Sequence, residues 1–313
     1  MAIPSLRRLL HSPHRPVVVV TQPDRPSGRG RRTVPSPVKE LALSAGIEVL
    51  QPERINDPAV VTKLLAYEAD LCVTLSFGQF IGPVLLNGIR WGGINVHPSL
   101  LPKYRGAAPV NWAVLRGELK TGVTVFKLTR RMDAGPILVV RETLIKPDET
   151  AGELQDRLAA IAPDALMAAL EMYGPTEAPA GHPQDDAQAT LAPKLTKEMG
   201  WLDLNRPAHE VAAWVNGLYP WPGVQLAYVS QRDGRRIEVR LARATRVVDR
   251  RDSCGAAPGT ILEDGAVACA DGAIRILEIQ PAGGRVMSWQ DFVNGRRVQP
   301  RDRFEPLASK PAP

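Results

Sequence analysis

The chain has 313 residues, 44% hydrophobic and 23% charged, with a formal net charge of +6. That length gives room for two domains with separate cores, and the composition excludes a disordered or collagen-like chain. No run approaches the eighteen or so apolar residues of a membrane span. Cys72, Cys254 and Cys269 lie far apart, with no C-x-x-C or Cys/His cluster to hold a metal, and fit a reducing compartment.

The opening MAIPSLRRLLHSPHRP carries three arginines, two histidines and no acid. It reads either as a surface helix leading into a strand or as a mitochondrial transit peptide. VVVVTQ (17–22) is a β-branched run, as expected of a strand buried on both faces. SPVKELALSAG (36–46) has a helical period, with Pro37 near its start and Gly46 at its end. IEVLQP (47–52) predicts another strand, and DPAVVTKLLAYE (57–68) a helix capped by Asp57 with Pro58 in its first position. DLCVTLSF (70–77), GINVH (93–97), GVTVFKL (122–128) and ILVVRETL (137–144) supply further strands, and an Ala/Leu-rich helix follows over 150–173.

Strands separated by crossover helices imply an α/β domain over 1–190, with a Rossmann-like, mostly parallel sheet covered on both faces. Residues 174–193 are rich in Pro, Ala, Gly and acids without an apolar period, and read as an interdomain connection; 191–206 lead into a second domain. From 207 to 313 the texture changes. After a helix at 207–218, short strands alternate with turns, which predicts a small antiparallel barrel, and MSWQDFVNG (287–295) predicts a closing helix ended by Gly295.

The stretch GINVHPSLLPKYRGAAP (93–109) is where chemistry concentrates. Ligands of a parallel sheet bind beyond the carboxyl ends of its strands. Asn95 and His97 are two apart at such an end, so both side chains point the same way. An amide beside an imidazole can hold a carbonyl oxygen as charge develops on it, and the imidazole can also carry a proton near neutrality. Asp133, in the turn RRMDAGPIL, could orient His97 or relay a proton. Taken alone, the same residues suit an ordinary strand-end histidine and an ordinary turn aspartate. No cysteine or serine stands out as an activated nucleophile.

INVHPSLLPKYRGAAP closely resembles the signature of the folate-dependent formyltransferases, a family in which Asn, His and a later Asp form the catalytic set. The resemblance implies catalytic roles for Asn95, His97 and Asp133. SFGQFIGPVLL (76–86), with Phe77 and Gly78, is similar to the family's aromatic-Gly loop beside the folate. Ser99, Leu100, Leu101 and Pro102 match its folate-contacting turn. The formyl donor would be 10-formyltetrahydrofolate, with no metal.

Relatives acting on glycinamide ribonucleotide or on amino sugars share that core, so the acceptor must be read elsewhere. TQPDRPSGRGRRTVPSPVKELA (21–42) resembles the arginine-bearing loop of the branch that formylates methionine on initiator tRNA. Its Arg25, Arg29, Arg31 and Arg32 fall within eight residues among glycines and prolines, a segment expected to remain mobile until phosphates neutralise it. YRGAAP, KLTKE, YPWPG and QPAGGRVMSWQDFVNGRR match the same branch. From 205 to 313 there are 16 Lys/Arg against 12 Asp/Glu. Arg235, Arg236, Arg240 and Arg243 there suggest a second surface for a tRNA arm, of the oligonucleotide-binding (OB) barrel type.

The resemblance thus implies an enzyme, cytoplasmic and bacterial in type or else organellar, whose partner is initiator methionyl-tRNA, and the lack of an evident exposed apolar seam suggests a monomer. A different alternative is a non-catalytic RNA-binding remnant of the same scaffold. The family normally opens with a strand and a G-T-P loop before the helix that IPSLRRLL matches. Their absence ahead of that helix implies a start assigned too far downstream or a truncated chain. Loss of a strand central to such a sheet would leave its neighbours with unpaired backbone edges.

Overall fold

The computed structural model describes residues 1–27, 32–247 and 255–307. The chain divides into two compact units. One comprises 1–106, 122–143 and 155–191, and the other 107–121, 144–154 and 192–313.

The first unit is the α/β domain. The opening segment is a helix, Ala2–Leu10, whose Leu6 is buried with Val19, Ala42 and Ile47, and whose Leu10 packs on the same cluster. Val18–Val20 pairs in parallel with Glu48–Leu50, and Cys72–Thr74 in parallel with Gly93–His97. Gly93–His97 then pairs antiparallel with Lys120–Lys127, and the four-strand sheet ends at Ile137–Leu144. Among the described residues no strand covers the second edge of Val18–Val20 or of Cys72–Thr74, so the layer comes in two pieces. A shared apolar cluster still joins the pieces, because Val20 and Cys72 both pack on Ile55, Val61, Ile81, Leu85 and Leu86. Gln22, just past the first strand, donates to the Phe77 carbonyl at 2.8 Å. Burial pushes the Cys72 thiol up to about 11, leaving it an unreactive apolar contact.

Local expectations are refined at the helix ends. Ser36 caps Pro37–Ser44 by accepting from the Lys39 amide. Asp57 occupies the cap position of Pro58–Leu65, but its carboxylate makes no cap bond. Pro83–Gly88 and Pro109–Leu115 are short helices that begin with proline at the first position, where the missing N–H costs nothing. Neither is long enough for an apolar period to stand out.

The second unit carries an antiparallel barrel. Its strands run in the order 267–268, 273–281, 236–246, 224–229, 303–306, with Met287–Ser288 added beside 273–281. Bridges from Thr260 to Arg303 and from Ile261 to Val267 link the two edge strands, so the barrel is almost closed. Tyr228, Trp289, Phe292 and Phe304 pack in its interior. The Tyr228 hydroxyl donates to buried Asp302. The closing helix is Trp289–Arg296. It passes through Gly295 and ends at Arg297, which takes the left-handed conformation (φ 54°) instead of the expected glycine. Among the described residues no helix is long and apolar enough to cross a membrane.

Candidate active site

The Gly93–His97 strand stops where its sequence predicts. Pro98 has no N–H to continue the ladder, and the Ser99 amide turns back to donate to the His97 carbonyl at 3.0 Å. Asn95 and His97 leave the strand on one side. Thr74, Asn95's register partner on the adjacent strand, donates its hydroxyl to Asn95 Oδ1 at 2.8 Å. With Oδ1 occupied, the Asn95 NH2 is the group left to donate elsewhere.

His97 is 4% exposed. Its Nε2 lies 2.9 Å from the Tyr104 carbonyl, which can only accept, so that nitrogen carries the hydrogen and Nδ1 keeps its lone pair. Tyr104 sits in the left-handed region (φ 63°), and this local turn aims its carbonyl back at the ring. Burial lowers the His97 pKa below the ordinary imidazole value. The charge of Asp133 and the Tyr104 bond oppose that shift without cancelling it. Burial thus favours the neutral ring over the imidazolium.

Asp133 Oδ2 stands 3.9 Å from His97 Nδ1 and accepts the Gly106 N–H at 2.8 Å. This corrects the expected division of labour. The carboxylate makes no hydrogen bond to the imidazole; the Tyr104 carbonyl orients the ring, and Asp133 acts on it as a nearby charge. Like Tyr104, Asp133 is in the left-handed region (φ 51°).

The residues expected to contact folate separate into two groups. Ser99 is fully buried and donates to the Lys103 carbonyl, and Leu101 is buried with its N–H on Thr124 Oγ1, so both shape the turn from within. Leu100 and Pro102 are half-buried on the same turn, and Leu101–Pro102 is a cis peptide. Phe77 packs on the apolar cluster, and Gly78 (φ 81°) is the turn's glycine. A cavity of about 300 Å³ opens a few residues further on, lined by Phe80, Ile81, Leu86, Trp91 and Leu128, with Asn87, Lys127, Thr129 and Arg130 adding polar groups. Gly93 is part of its wall, and a Cβ there would come within 2.8 Å of Leu128 Cδ1 and 3.0 Å of Leu86 Cδ2. Sequence reading missed Phe80 and the 127–130 wall, although Phe80 and Ile81 stand inside the aromatic-Gly loop it singled out.

Of the arginine loop, Arg25–Ser27 and Arg32–Val34 pair as a short antiparallel hairpin. Arg25 is exposed and 3.6 Å from Glu53. Arg29 and Arg31 lie outside the described residues, and Arg32 starts the second strand. On the barrel, Arg236 pairs with Glu305, Arg235 with Asp233, and Arg243 with Glu278 and Glu153. These side chains are thus engaged with carboxylates, and the Arg240 Nε is buried without a hydrogen-bond partner among the described residues.

The formyl transferase family pattern matches residues 6–170, and that of the formyl transferase C-terminal domain matches 194–297. A methionyl-tRNA formyltransferase from Solibacter usitatus is 39% identical over 306 residues, covering 97% of this chain and 95% of that one. The Geobacter metallireducens enzyme of the same name is 40% identical over 308 residues, with 97% and 95% covered. The chain belongs to the methionyl-tRNA formyltransferase family. Among solved structures, a sugar 3N-formyl transferase, WlaRD, shares the fold with a TM-score of 0.61 at 14% identity, covering 87% of this chain and 91% of that one. HypX from Aquifex aeolicus, solved with tetrahydrofolic acid, gives 0.53 at 19%, covering 86% and 48%. In this family, then, the α/β unit with its Asn95–His97 strand end and the nearly closed barrel are the two parts of one enzyme.

Proposed function

We propose that the protein transfers the formyl group of 10-formyltetrahydrofolate to the α-amine of methionyl initiator tRNA, with Asn95, His97 and Asp133 as its catalytic residues. The observation that carries the reading is the buried His97 ring beside Asn95, with Nε2 on the Tyr104 carbonyl and Nδ1 facing the Asp133 carboxylate at 3.9 Å. The cavity suits a flat, partly apolar ring, since its wall is aromatic and aliphatic and depends on the absence of a side chain at Gly93. The bound folate supplies an activated formyl carbon.

Asn95 donates its NH2 to the formyl oxygen as negative charge develops there, with Thr74 holding the amide in the donating orientation. His97 Nδ1 accepts the proton that the attacking amine must lose once its nitrogen has bonded to the formyl carbon. The imidazolium is then held between the Tyr104 carbonyl and the Asp133 carboxylate, whose charge favours it. His97 returns the proton to the leaving nitrogen as its bond to the formyl carbon breaks. Arg25, Arg29, Arg31 and Arg32 contact tRNA phosphates, Phe77, Gly78 and Ser99 to Pro102 shape the folate side, and the barrel bears on a tRNA arm.

The test is formylation of charged initiator tRNA by purified protein, with glycinamide ribonucleotide and a nucleotide amino sugar as competing acceptors. Formyl-methionyl-tRNA should be the product, and Asn95→Ala should depress kcat by about 10²–10³ while tRNA affinity stays nearly unchanged. Transfer to either competitor in preference to tRNA, or equal loss of turnover and affinity, would overturn the reading.

A further inference from the structure

The segment after the long helix, featureless in sequence, is tied into the site by Gln184. Its Nε2 donates to the carbonyls of Asp133 (2.9 Å) and Gly135 (2.8 Å). Its Oε1 accepts from Arg105 Nε (3.1 Å) and Nη2 (2.8 Å). Two donors and two acceptor positions are the whole capacity of a carboxamide, so the group has one orientation here. Arg105 is 6% exposed and also binds Asp186 at 2.9 Å, whose other oxygen takes Arg131 at 2.8 Å. Six residues on, Thr190 accepts the Tyr104 amide on its hydroxyl and the Arg105 amide on its carbonyl, each at 2.9 Å.

These bonds converge on the two supports of the catalytic pair. Arg105 lies between Tyr104, whose carbonyl holds His97 Nε2, and Gly106, whose N–H holds the Asp133 carboxylate. Gln184 grips Arg105 with one end of its amide and the Asp133 main chain with the other. That main chain is in the left-handed conformation, uncommon for a non-glycine residue, and the two Gln184 bonds brace it there. The ring Arg105–Gln184–Asp133–Gly106 therefore fixes where the carboxylate stands relative to the imidazole.

We propose that Gln184 is a positioning residue for the reaction, locking the Asp133 turn to the Tyr104–Gly106 stretch so that the carboxylate stays within ion-pair distance of His97. The inference rests on the reading of His97 and Asp133 as the proton-handling pair. A simple brace would act through stability alone, whereas a positioning residue acts on turnover through Asp133.

Gln184→Glu separates the two. It keeps both acceptor positions for Arg105 and thus the link to a buried cation, but it removes both donors from the Asp133 and Gly135 carbonyls. Because misplacement by about 1 Å can cost 10²-fold, kcat should fall about 10–100-fold, with KM for folate and for tRNA within about threefold of wild type. The uncharged Gln184→Met should show the same split. The decisive measurement is the double-mutant cycle with Asp133→Asn. If Gln184 works through the Asp133 charge, Gln184→Glu should cost less than about threefold more in the Asp133→Asn background. Full additivity of the two losses, or kcat within threefold of wild type for folded Gln184→Glu, overturns the proposal. If Asp133→Asn alone has wild-type turnover, it is the catalytic reading that fails, and Gln184 has nothing to position.

Discussion

Replacing Asp133 with Asn tests the charge assignment most directly. Asn is the same size and keeps an oxygen for the Gly106 N–H, so the turn retains its 2.8 Å anchor. What disappears is a negative charge 3.9 Å from His97 Nδ1. At the effective dielectric of about 20 that suits such sites, that charge favours the imidazolium by about 4 kcal/mol, equivalent to about 10³ in rate if felt fully in the transition state. Proton transfer is partial at the barrier, so we expect kcat for formylation to fall about 10²–10³-fold. KM for both substrates and the melting temperature should change little. The assay is single-turnover formylation with enzyme in excess, which separates chemistry from product release, together with a thermal melt. A folded Asp133→Asn enzyme that loses less than about tenfold would mean that the proton is not held on His97.

Three further outcomes follow from other contacts. Thr74→Val removes the hydroxyl that fixes the Asn95 amide, and a bond of about 0.5–1.5 kcal/mol predicts a loss in kcat of about 2–13-fold at unchanged KM. Thr74→Ser should restore it, and equal rates for the Ser and Val forms would exclude the role. The lowered His97 pKa means that the unfolded chain takes up this proton at higher pH than the folded one. Its contribution to stability is thus present above about pH 6.5, the ordinary imidazole value, and is lost as pH falls toward the folded pKa. Melts between pH 5 and 8 should show a steeper acid-side decline for wild type than for His97→Asn; parallel curves would refute the shift. In the barrel, Asp302→Ala strands the Tyr228 hydroxyl and the Gln231 and Gln299 amides, which donate to the carboxylate at 2.5, 2.7 and 2.8 Å. About 2–4 kcal/mol of destabilisation should appear in urea titration, and a loss under 1 kcal/mol would count against the buried Tyr228–Asp302 bond as a structural contact.

The sequence by itself determined the two-part architecture and where the 93–97 strand ends. β-branched runs and helical periods are local patterns, and Pro98 ends the 93–97 strand whatever surrounds it. The i, i+2 spacing puts Asn95 and His97 on one side because strand geometry does. The turn at Asp133 was legible through its residue types and family resemblance. Tertiary structure alone decided how those groups are held. The Tyr104 carbonyl reaches His97 through a left-handed backbone turn that no side-chain pattern announces. Thr74 looks like any strand residue until the parallel register sets it beside Asn95. Gln184 sits in a stretch that its composition marks as a connection, because hydrogen bonds between segments some fifty or eighty residues apart leave no period in the chain. Sequence supplies the chemical groups; their protonation and aim come from backbone carbonyls and distant partners that only the folded chain brings together.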